Sequence, residues 1–489
     1  MRLAWMYLKE LRAFAGGAVW VVLGGMLAVG FLESAGVMLL VPLLGLIGAF
    51  GGEAPRGAPA AALDALPDAL AAPVGRLLAG EYALPLVLAV FVALSAGAAL
   101  LARHHAVFGM ALQQRFMNRL RTDLYRSLLE AEWGFFLQRR RSDFANMLTT
   151  ELGRVALGAY LSMRLASSLL LAAAYAAAAL FLSPALTLLV LSCGAAAALA
   201  ARPLVRRAKR IGEKTTELSQ KFMADATEHF QGVKDIKALQ AERRHAERFE
   251  RLCREMEANY MSFVRLQANS QLFFKISAAV LAAAFVWAAA ALLAVPVERL
   301  VAIVVLFARL WPLAAAMQGN LEQLGGTEAA FRGLVRLGEE AGASRETGAG
   351  AGAKPLAVRR AIECRSVDFR YGDEEDGCVL KDVGMTIPAG KMTAIVGASG
   401  AGKSTLIDLI CGLIRPERGA ILVDGKPLDE SLLPAYRAAI GCVGQDPYLF
   451  HATIRENLQL AAPGAGEEEM WEALRLAAAD EFVREFPRG

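Results

Sequence analysis

The stretch that decides the fold is KMTAIVGASGAGKSTLIDLICGL, residues 391–413. Its centre, residues 397–405, matches the pattern G-x-x-x-x-G-K-[ST] of a phosphate-binding loop, or P-loop. The apolar run 391–399 predicts a buried strand that ends at the loop, and residues 403–413 predict a helix that begins there. Strand, glycine-rich loop and helix in this order is the arrangement that a P-loop requires. The sequence therefore predicts an α/β nucleotide-binding domain around this stretch.

The residue types of the loop suit a polyphosphate ligand. Glycines allow the backbone to turn tightly, and the N–H groups of the loop and of the helix start point at the anion. Lys403 places a positive charge on the terminal phosphates, and the hydroxyl of Ser404 can coordinate Mg²⁺. We therefore predict that ATP and Mg²⁺ bind at Gly397, Ala398, Ser399, Gly400, Ala401, Gly402, Lys403, Ser404 and Thr405.

The composition of the chain indicates a membrane protein. The 489 residues are 56% hydrophobic and 20% charged, whereas soluble domains are about 45–50% apolar and about 25% charged. A spanning helix needs about 20 mostly apolar residues. A soluble helical core fits poorly, because so many soluble helices would show polar faces. We predict six spans, at residues 19–50, 83–102, 165–182, 185–201, 272–295 and 300–317.

Basic residues predict the orientation of the six spans. Clusters of arginine follow span two, as at Arg139–Arg141, and span four, as at Arg206 and Arg207. Such clusters favour the cytoplasmic side, whereas the acidic-leaning loop 51–82 is expected outside. Both termini, and with them the P-loop domain, are then cytoplasmic in a protein of the plasma (inner) membrane.

Charge and cysteine content exclude other classes. The net charge of +4 does not indicate a nucleic-acid-binding protein, and the six cysteines are scattered without a C-x-x-C pair. The cysteines therefore predict neither a zinc site nor a disulfide framework, and they fit a reducing compartment.

Three segments follow from these patterns. Residues 1–337 are predicted to be the membrane domain, with helices that continue far into the cytosol. Residues 338–358 are rich in glycine and alanine without periodicity, which predicts a linker. Residues 359–489 are predicted to be part of the ATP-binding domain.

A six-span membrane domain followed by a P-loop domain resembles a half-transporter of the ABC exporter family, over nearly the whole chain. VDFRYG (367–372) resembles the segment whose aromatic residue stacks on adenine, which implies this role for Tyr371; an ordinary strand tyrosine is the alternative. IGCVGQDPYLFHATIRENL (440–458) resembles the family's Q-loop. The resemblance implies that Gln445 reaches Mg²⁺ and the attacking water and therefore acts in catalysis with Lys403. GAILVDGKPL (419–428) resembles the hairpin that follows the P-loop helix.

The resemblance extends to the membrane domain. FANML (144–148) and EHFQGVKDIKAL (228–239) resemble intracellular loops whose short helices couple the two domains. The family implies export of a substrate by alternating access, here a lipid, a lipid-linked saccharide or a peptide. It also implies contact with membrane lipid and a second half-transporter as partner, in a homodimer or with a related half.

The family's remaining ATPase motifs are not found in this sequence. They are the LSGGQ-type signature, the Walker B aspartate with its adjacent glutamate, and the switch histidine, and residues 471–486 resemble the start of the subdomain that leads to them. We therefore expect an ATP-binding domain that is incomplete at its C-terminus, incompletely buried and unable to hydrolyse ATP as it stands. A fragment of a longer product or a frameshifted or split gene would explain this. The alternative is a membrane-anchored nucleotide-binding partner or regulator without hydrolysis.

Two charged residues lie within predicted spans, Glu33 in span one and Arg309 in span six. Charges inside a membrane are costly and rarely face lipid. We expect both to face the interior, where they either form a structural ion pair or line the substrate cavity. Pro312, close to Arg309, is expected to kink span six.

Overall fold

The computed structural model describes residues 2–38, 83–182, 184–291, 297–346, 353–371, 378–445 and 447–486. The chain divides into two compact units, residues 1–346 and residues 347–489. Each unit is described by itself.

Unit 1 is built from long helices joined by short ones. Each helix carries apolar side chains along one or more of its faces. These faces favour packing of the helices against one another. The helices are α1 (Arg2–Ala15), α2 (Ala18–Met38), α3 (Ala83–Leu129), α4 (Trp133–Leu137), α5 (Arg141–Asn146), α6 (Leu152–Leu182), α7 (Pro184–Gln231), α8 (Val233–Ala238), α9 (Glu242–Ala291) and α10 (Val297–Ala343), with a π-helical segment, Met147–Glu151, between α5 and α6.

Several of these helices are much longer than a membrane is thick. Helix α3 has 47 residues, α7 has 48 and α9 has 50. Judged by length and apolar composition alone, two stretches of the described residues are able to cross a membrane, Leu88–Leu129 and Arg141–Ala177. A third is counted if Leu3–Ala15 and Ala18–Leu32, which meet at an angle of 117°, form one span.

Short helices lie in both predicted intracellular loop regions. Helix α4 precedes the first region, α5 and the π-helical segment Met147–Glu151 cover it, and α8 lies in the second. Their role in coupling stays a prediction.

The core of unit 1 includes the N-terminal helix. Tyr7 of α1 is fully buried, and its ring lies 4.4 Å from that of Phe331 on α10. Its hydroxyl donates a hydrogen bond to Thr327 Oγ1 at 3.2 Å. Leu11, also fully buried, extends the contact. Helix α1 therefore packs onto the bundle through its apolar face.

Helix α10 ends later than the predicted membrane domain. It continues to Ala343, so residues 338–343 of the predicted linker are helical. Alanine and glutamate are good helix formers, and Ala341 is fully buried, which explains why the helix extends. The side chains of Glu33 and Arg309 lie outside the described residues, as do residues 51–82 of the predicted external loop.

Unit 2 contains a small antiparallel sheet. Its strands are β1 (Ala361–Arg370), β2 (Cys378–Pro388), β3 (Arg418–Val423) and β4 (Lys426–Pro427), in the order β2-β1-β3-β4. The predicted hairpin at 419–428 is confirmed, because Val423 pairs with Lys426. Its two turn residues, Asp424 and Gly425, have φ of 53° and 82°, as a two-residue hairpin turn of type I′ requires. The described helices of unit 2 are α11 (Lys403–Ile410), α12 (Leu433–Arg437), α13 (Ile454–Ala461), α14 (Glu467–Leu476) and α15 (Asp480–Arg484).

The strand predicted at 391–399 is wrong for this structure. The segment is irregular, and Met392 and Val396 are 100% and 88% exposed. A strand needs hydrogen-bonded neighbours, and none of the strands β1 to β4 pairs with this segment. An apolar sequence alone therefore does not make it a strand.

Candidate nucleotide-binding site

The P-loop glycines differ in how strongly the backbone requires them. Gly400 and Gly402 have φ of 83° and 81°, in the left-handed region that disfavours residues with a Cβ atom. A Cβ at Gly402 would also lie 2.8 Å from Leu380 Cδ2 on β2. At Gly397 a Cβ would make an ordinary contact of 3.6 Å with that of Ala401. The tight turn that the sequence predicts is therefore formed at Gly400 and Gly402.

Lys403 begins helix α11 and folds back over the loop. Its Nζ donates hydrogen bonds to the backbone carbonyls of Gly397 at 3.0 Å and Ala398 at 2.7 Å. These carbonyls are neutral acceptors, whereas a phosphate oxygen carries a negative charge that attracts the ammonium group more strongly. A phosphate at the loop would therefore compete for the ammonium group.

The start of helix α11 places two hydroxyl groups differently. Ser404 is exposed, whereas Thr405 is 6% exposed. The Thr405 hydroxyl lies 3.0 Å from the Tyr371 hydroxyl. Ser404 is thus accessible to a metal ion, and Thr405 links the P-loop helix to Tyr371.

Tyr371 lies beside the P-loop, because its hydroxyl contacts that of Thr405, 34 positions further along the chain. The residue is 43% exposed, and its ring stands nearly perpendicular to the ring of Phe369, with 4.9 Å between the centroids. An exposed ring next to a phosphate site is accessible to a base. Stacking on adenine stays a prediction.

Gln445 lies on an exposed bend. Among the hydrogen bonds of the described residues, none joins it to Ser404 or Lys403. Cys442, just before it, lies beside Cys411 near the end of the P-loop helix. Burial, and after it the neighbouring Cys442 thiol, raises the pKa of Cys411 to about 11. Cys411 follows directly after α11. Shared coordination of Mg²⁺ by Ser404 and Gln445 stays a prediction.

The chain after Gln445 is held by local hydrogen bonds. Thr453 and Glu456 form a capping box at the start of α13, which satisfies two backbone donors reciprocally. The Asn457 amide donates to the carbonyl of Phe450 at 3.1 Å and accepts from its N–H at 2.9 Å. The sequence TIRENL therefore forms a self-contained turn and helix start.

The loop fits a polyphosphate. It offers two left-handed glycines, the N-terminus of an eight-residue helix and a lysine ammonium group. Among the described residues there is no group of three or more His, Cys, Asp or Glu side chains that could hold a metal ion. Mg²⁺ with a nucleotide does not need one, because it retains waters and binds phosphate oxygens with one or two protein ligands.

Sequence patterns did not predict three contacts of this unit. They are the Tyr371–Thr405 hydrogen bond, the proximity of Cys411 and Cys442, and the contact of Asp424 with the start of β1. All three join residues that are distant in sequence. The cysteines also lack the C-x-x-C spacing that usually indicates that two cysteines lie close together. The glycine after Asp424 indicates that Asp424 lies in a turn. The sequence does not indicate the hydrogen-bond partners of its carboxylate.

Two family descriptions match this chain. Residues 65–311, half of the chain, match "ABC transporter transmembrane region", and residues 380–488 match "ABC transporter". The heterocyst differentiation ATP-binding protein HepA of Nostoc sp. is 27% identical over 393 residues, which are 78% of this chain and 62% of that protein. The uncharacterized ABC transporter ATP-binding protein y4gM of Sinorhizobium fredii is 42% identical over 128 residues, 26% of this chain and 22% of that protein.

A solved structure shares the fold. It is a bacterial Atm1-family ABC exporter with ATP bound, with a TM-score of 0.71 and 22% sequence identity. The similarity covers 99% of this chain and 79% of that one. The chain spans less than two thirds of the length of the two relatives above.

Proposed function

This chain belongs to the ABC transporter family, and we propose that it is the subunit of an ATP-driven exporter. Its transport cycle moves a lipid, a lipid-linked saccharide or a peptide out across the inner membrane by alternating access. The observation that carries the proposal is the P-loop at Gly400, Gly402 and Lys403, on the same chain as a helical membrane domain of the ABC exporter type.

The residues that would hold ATP are those of the P-loop, 397–405, with Tyr371 beside the base. Lys403 would leave the carbonyls of Gly397 and Ala398 for the phosphates. Ser404 and Gln445 would hold Mg²⁺. Hydrolysis of bound ATP supplies the free energy for transport, and a chain without hydrolysis would act as a membrane-anchored nucleotide-binding partner.

The membrane arrangement is part of the proposal. Six spans with both termini in the cytoplasm would place unit 2 where ATP is present. The short helices α4, α5 and α8 would couple unit 1 to an ATP-binding domain. A single P-loop in the chain supports assembly with a second half-transporter, either a copy of this chain or a related half.

Nucleotide binding tests the proposal directly. Replacing Lys403 by alanine removes the ammonium group from the loop, and we expect the affinity for Mg-ATP to fall at least about tenfold, as for loss of one charge-assisted hydrogen bond. Isothermal titration calorimetry on the chain in lipid nanodiscs measures this. Lys426→Ala is the matched control, because Lys426 is exposed on the hairpin β3–β4.

Equal ATP affinity in the unaltered chain and in Lys403→Ala would refute the assignment of the P-loop. Turnover is measured separately on the full-length gene product, as release of phosphate from Mg-ATP. Binding without turnover favours the nucleotide-binding partner, whereas turnover that a transported substrate stimulates favours the exporter.

A further inference from the structure

Two histidines face each other across helices α7 and α9 of unit 1, next to the short helix α8 that lies between them in the chain. His229 lies in the last turn of α7, and His245 lies in the first turn of α9. Their ring centroids are 4.7 Å apart, and the ring planes are nearly perpendicular, at 88°. Both residues are half-buried, so small solutes reach the pair from the surface. The pair therefore joins α7 and α9 at the end of the helix pair that carries α8.

Two carboxylates of α7 lie close in sequence to His229, and both are paired with arginines. Asp225, one turn earlier, accepts from Arg248 of α9 at 2.8 Å. Glu228 lies 3.8 Å from Arg140. These carboxylates therefore have charged partners of their own, which leaves the two imidazoles to each other.

Neither imidazole has a hydrogen-bond partner within the described part of the chain. For His245 the Nδ1 atom is buried as well, and a buried polar atom without a partner is rare in proteins. A neutral imidazole keeps one ring nitrogen with a free lone pair, which accepts a hydrogen bond or binds a metal ion. Two such lone pairs on different helices, neither used among the described residues, indicate a shared ligand.

We propose that His229 and His245 bind one divalent transition-metal ion of the zinc class, through one ring nitrogen each, with water completing the coordination. Imidazole suits zinc, copper and nickel, whereas magnesium and calcium prefer oxygen ligands. Zinc–nitrogen bonds are about 2.0–2.1 Å long, so two nitrogens on one ion lie at most about 4.2 Å apart. Rings with centroids 4.7 Å apart are close enough for this after a rotation of the side chains.

The site has fewer protein ligands than structural zinc sites, which use four. This agrees with the finding that the described residues contain no group of three or more His, Cys, Asp or Glu side chains that could hold a metal ion. The ion is therefore expected to exchange with the solution. Because its two protein ligands belong to different helices, it would clamp α7 to α9 beside α8.

Metal binding at this pair goes beyond the proposed transport function and requires no nucleotide. Calorimetry with Zn²⁺ tests it on the chain in nanodiscs, without any histidine tag and with empty nanodiscs as the blank. The reference chain carries Cys442→Ser, because thiolates bind the same ion and Cys442 lies beside Cys411. We expect saturable binding of Zn²⁺ and none of Mg²⁺, and the same affinity for Zn²⁺ when Lys403→Ala is added.

Two variants locate the ion. His229→Gln and His245→Gln each remove one ligand and should weaken Zn²⁺ binding at least about tenfold, because loss of a side chain that only supports a metal ligand already costs about 10–100-fold. His451→Gln is the matched control, since His451 is an exposed histidine of unit 2, and its loss should leave the affinity unchanged.

Two further measurements identify the ligands and the clamp. Electron paramagnetic resonance of Cu²⁺ bound to the reference chain should show hyperfine coupling to two imidazole nitrogens, and to one in each single variant. Zn²⁺ should slow hydrogen exchange of the backbone between His229 and His245 in the reference chain and leave it unchanged in His245→Gln.

Several outcomes would overturn the proposal. One is no saturable binding of Zn²⁺ above the blank, which would make the pair a packing contact. Another is an affinity for Zn²⁺ that neither histidine variant lowers. A third is Cu²⁺ coupled to fewer than two nitrogens in the reference chain, a result that does not depend on whether a variant folds. Zn²⁺ binding that leaves hydrogen exchange in residues 229–245 unchanged would overturn the clamp.

Discussion

Arg154 in unit 1 and Asp424 in unit 2 each gather several hydrogen bonds around one charged side chain. The Arg154 side chain is 18% exposed among α6, α7 and α10, whereas Asp424 lies on the surface at the tip of the hairpin β3–β4. Charged side chains with several hydrogen bonds therefore occur in opposite surroundings, the protein interior in unit 1 and the surface in unit 2. Removing a partner leaves a buried charge in unit 1, whereas water can replace the partner in unit 2.

The Arg154 guanidinium joins three helices. It donates to both oxygens of Glu151, to the Thr216 hydroxyl at 2.6 Å, and to the carbonyls of Gly212 at 3.0 Å and Gly326 at 2.6 Å. Glu151, at the end of the π-helical segment, is fully buried. The guanidinium thus neutralises a carboxylate that water does not reach.

The largest effect is expected for Arg154→Ala. It removes the cation beside buried Glu151, and breaking a buried ion pair costs about 3–5 kcal/mol. We expect the free energy of unfolding to fall by that amount, measured by circular dichroism as dodecyl sulfate is titrated into the chain in mild detergent. Arg243→Ala is the control; Arg243 is 92% exposed beside Glu247, and its loss should cost less than about 1 kcal/mol. Equal losses for the two variants would remove the contrast between buried and exposed contacts.

A smaller effect is expected where α7 and α10 approach closely. A Cβ at Gly212 would lie 2.7 Å from the Cα of Gly326, so Gly212→Ala must separate the two backbones. Overpacking of this kind costs about 1–3 kcal/mol, measured in the same titration. Gly153→Ala is the matched control, because a Cβ there meets nothing within 4 Å and alanine favours the helix by up to about 1 kcal/mol. A stabilised Gly212→Ala variant would contradict the close approach.

The same contrast explains what the sequence could predict. The P-loop helix and the hairpin at 419–428 depend on neighbours in the chain, such as Lys403 after Gly402 and Gly425 after Asp424, and both were predicted. The strand at 391–399 was not correctly predicted, because a strand also depends on a partner strand that its own sequence does not specify. Sequence patterns therefore predict structure correctly where that structure depends on residues that are neighbours in the chain.

Contacts between distant residues gave no such signal. Arg154 bonds to residues 62 and 172 positions away, and Ser270 bonds to Glu322 across 52 positions. An arginine is ordinarily a solvated residue, and a single glutamate after a predicted span gives no hint of its burial. The importance of these side chains for packing is visible only in the structure, where the helices lie against one another.

The smallest effect is expected at Asp424, where the backbone N–H groups of Arg359 and Arg360, with that of Ala361, hold the pKa of the carboxyl below its usual value. A lowered pKa in the folded state means that the stabilisation is complete above the unfolded value, about 3.9, and is lost as pH falls through the folded one. We expect amides 359–361 to exchange hydrogen more slowly in the unaltered chain than in Asp424→Asn near pH 6, and this difference to shrink as the pH falls below about 4. Asparagine tolerates the left-handed turn position and does not titrate, so pulse-labelling mass spectrometry on both chains at each pH isolates the carboxylate. A difference that stays constant from pH 6 to pH 3 would show that the charge of Asp424 does not hold the start of β1.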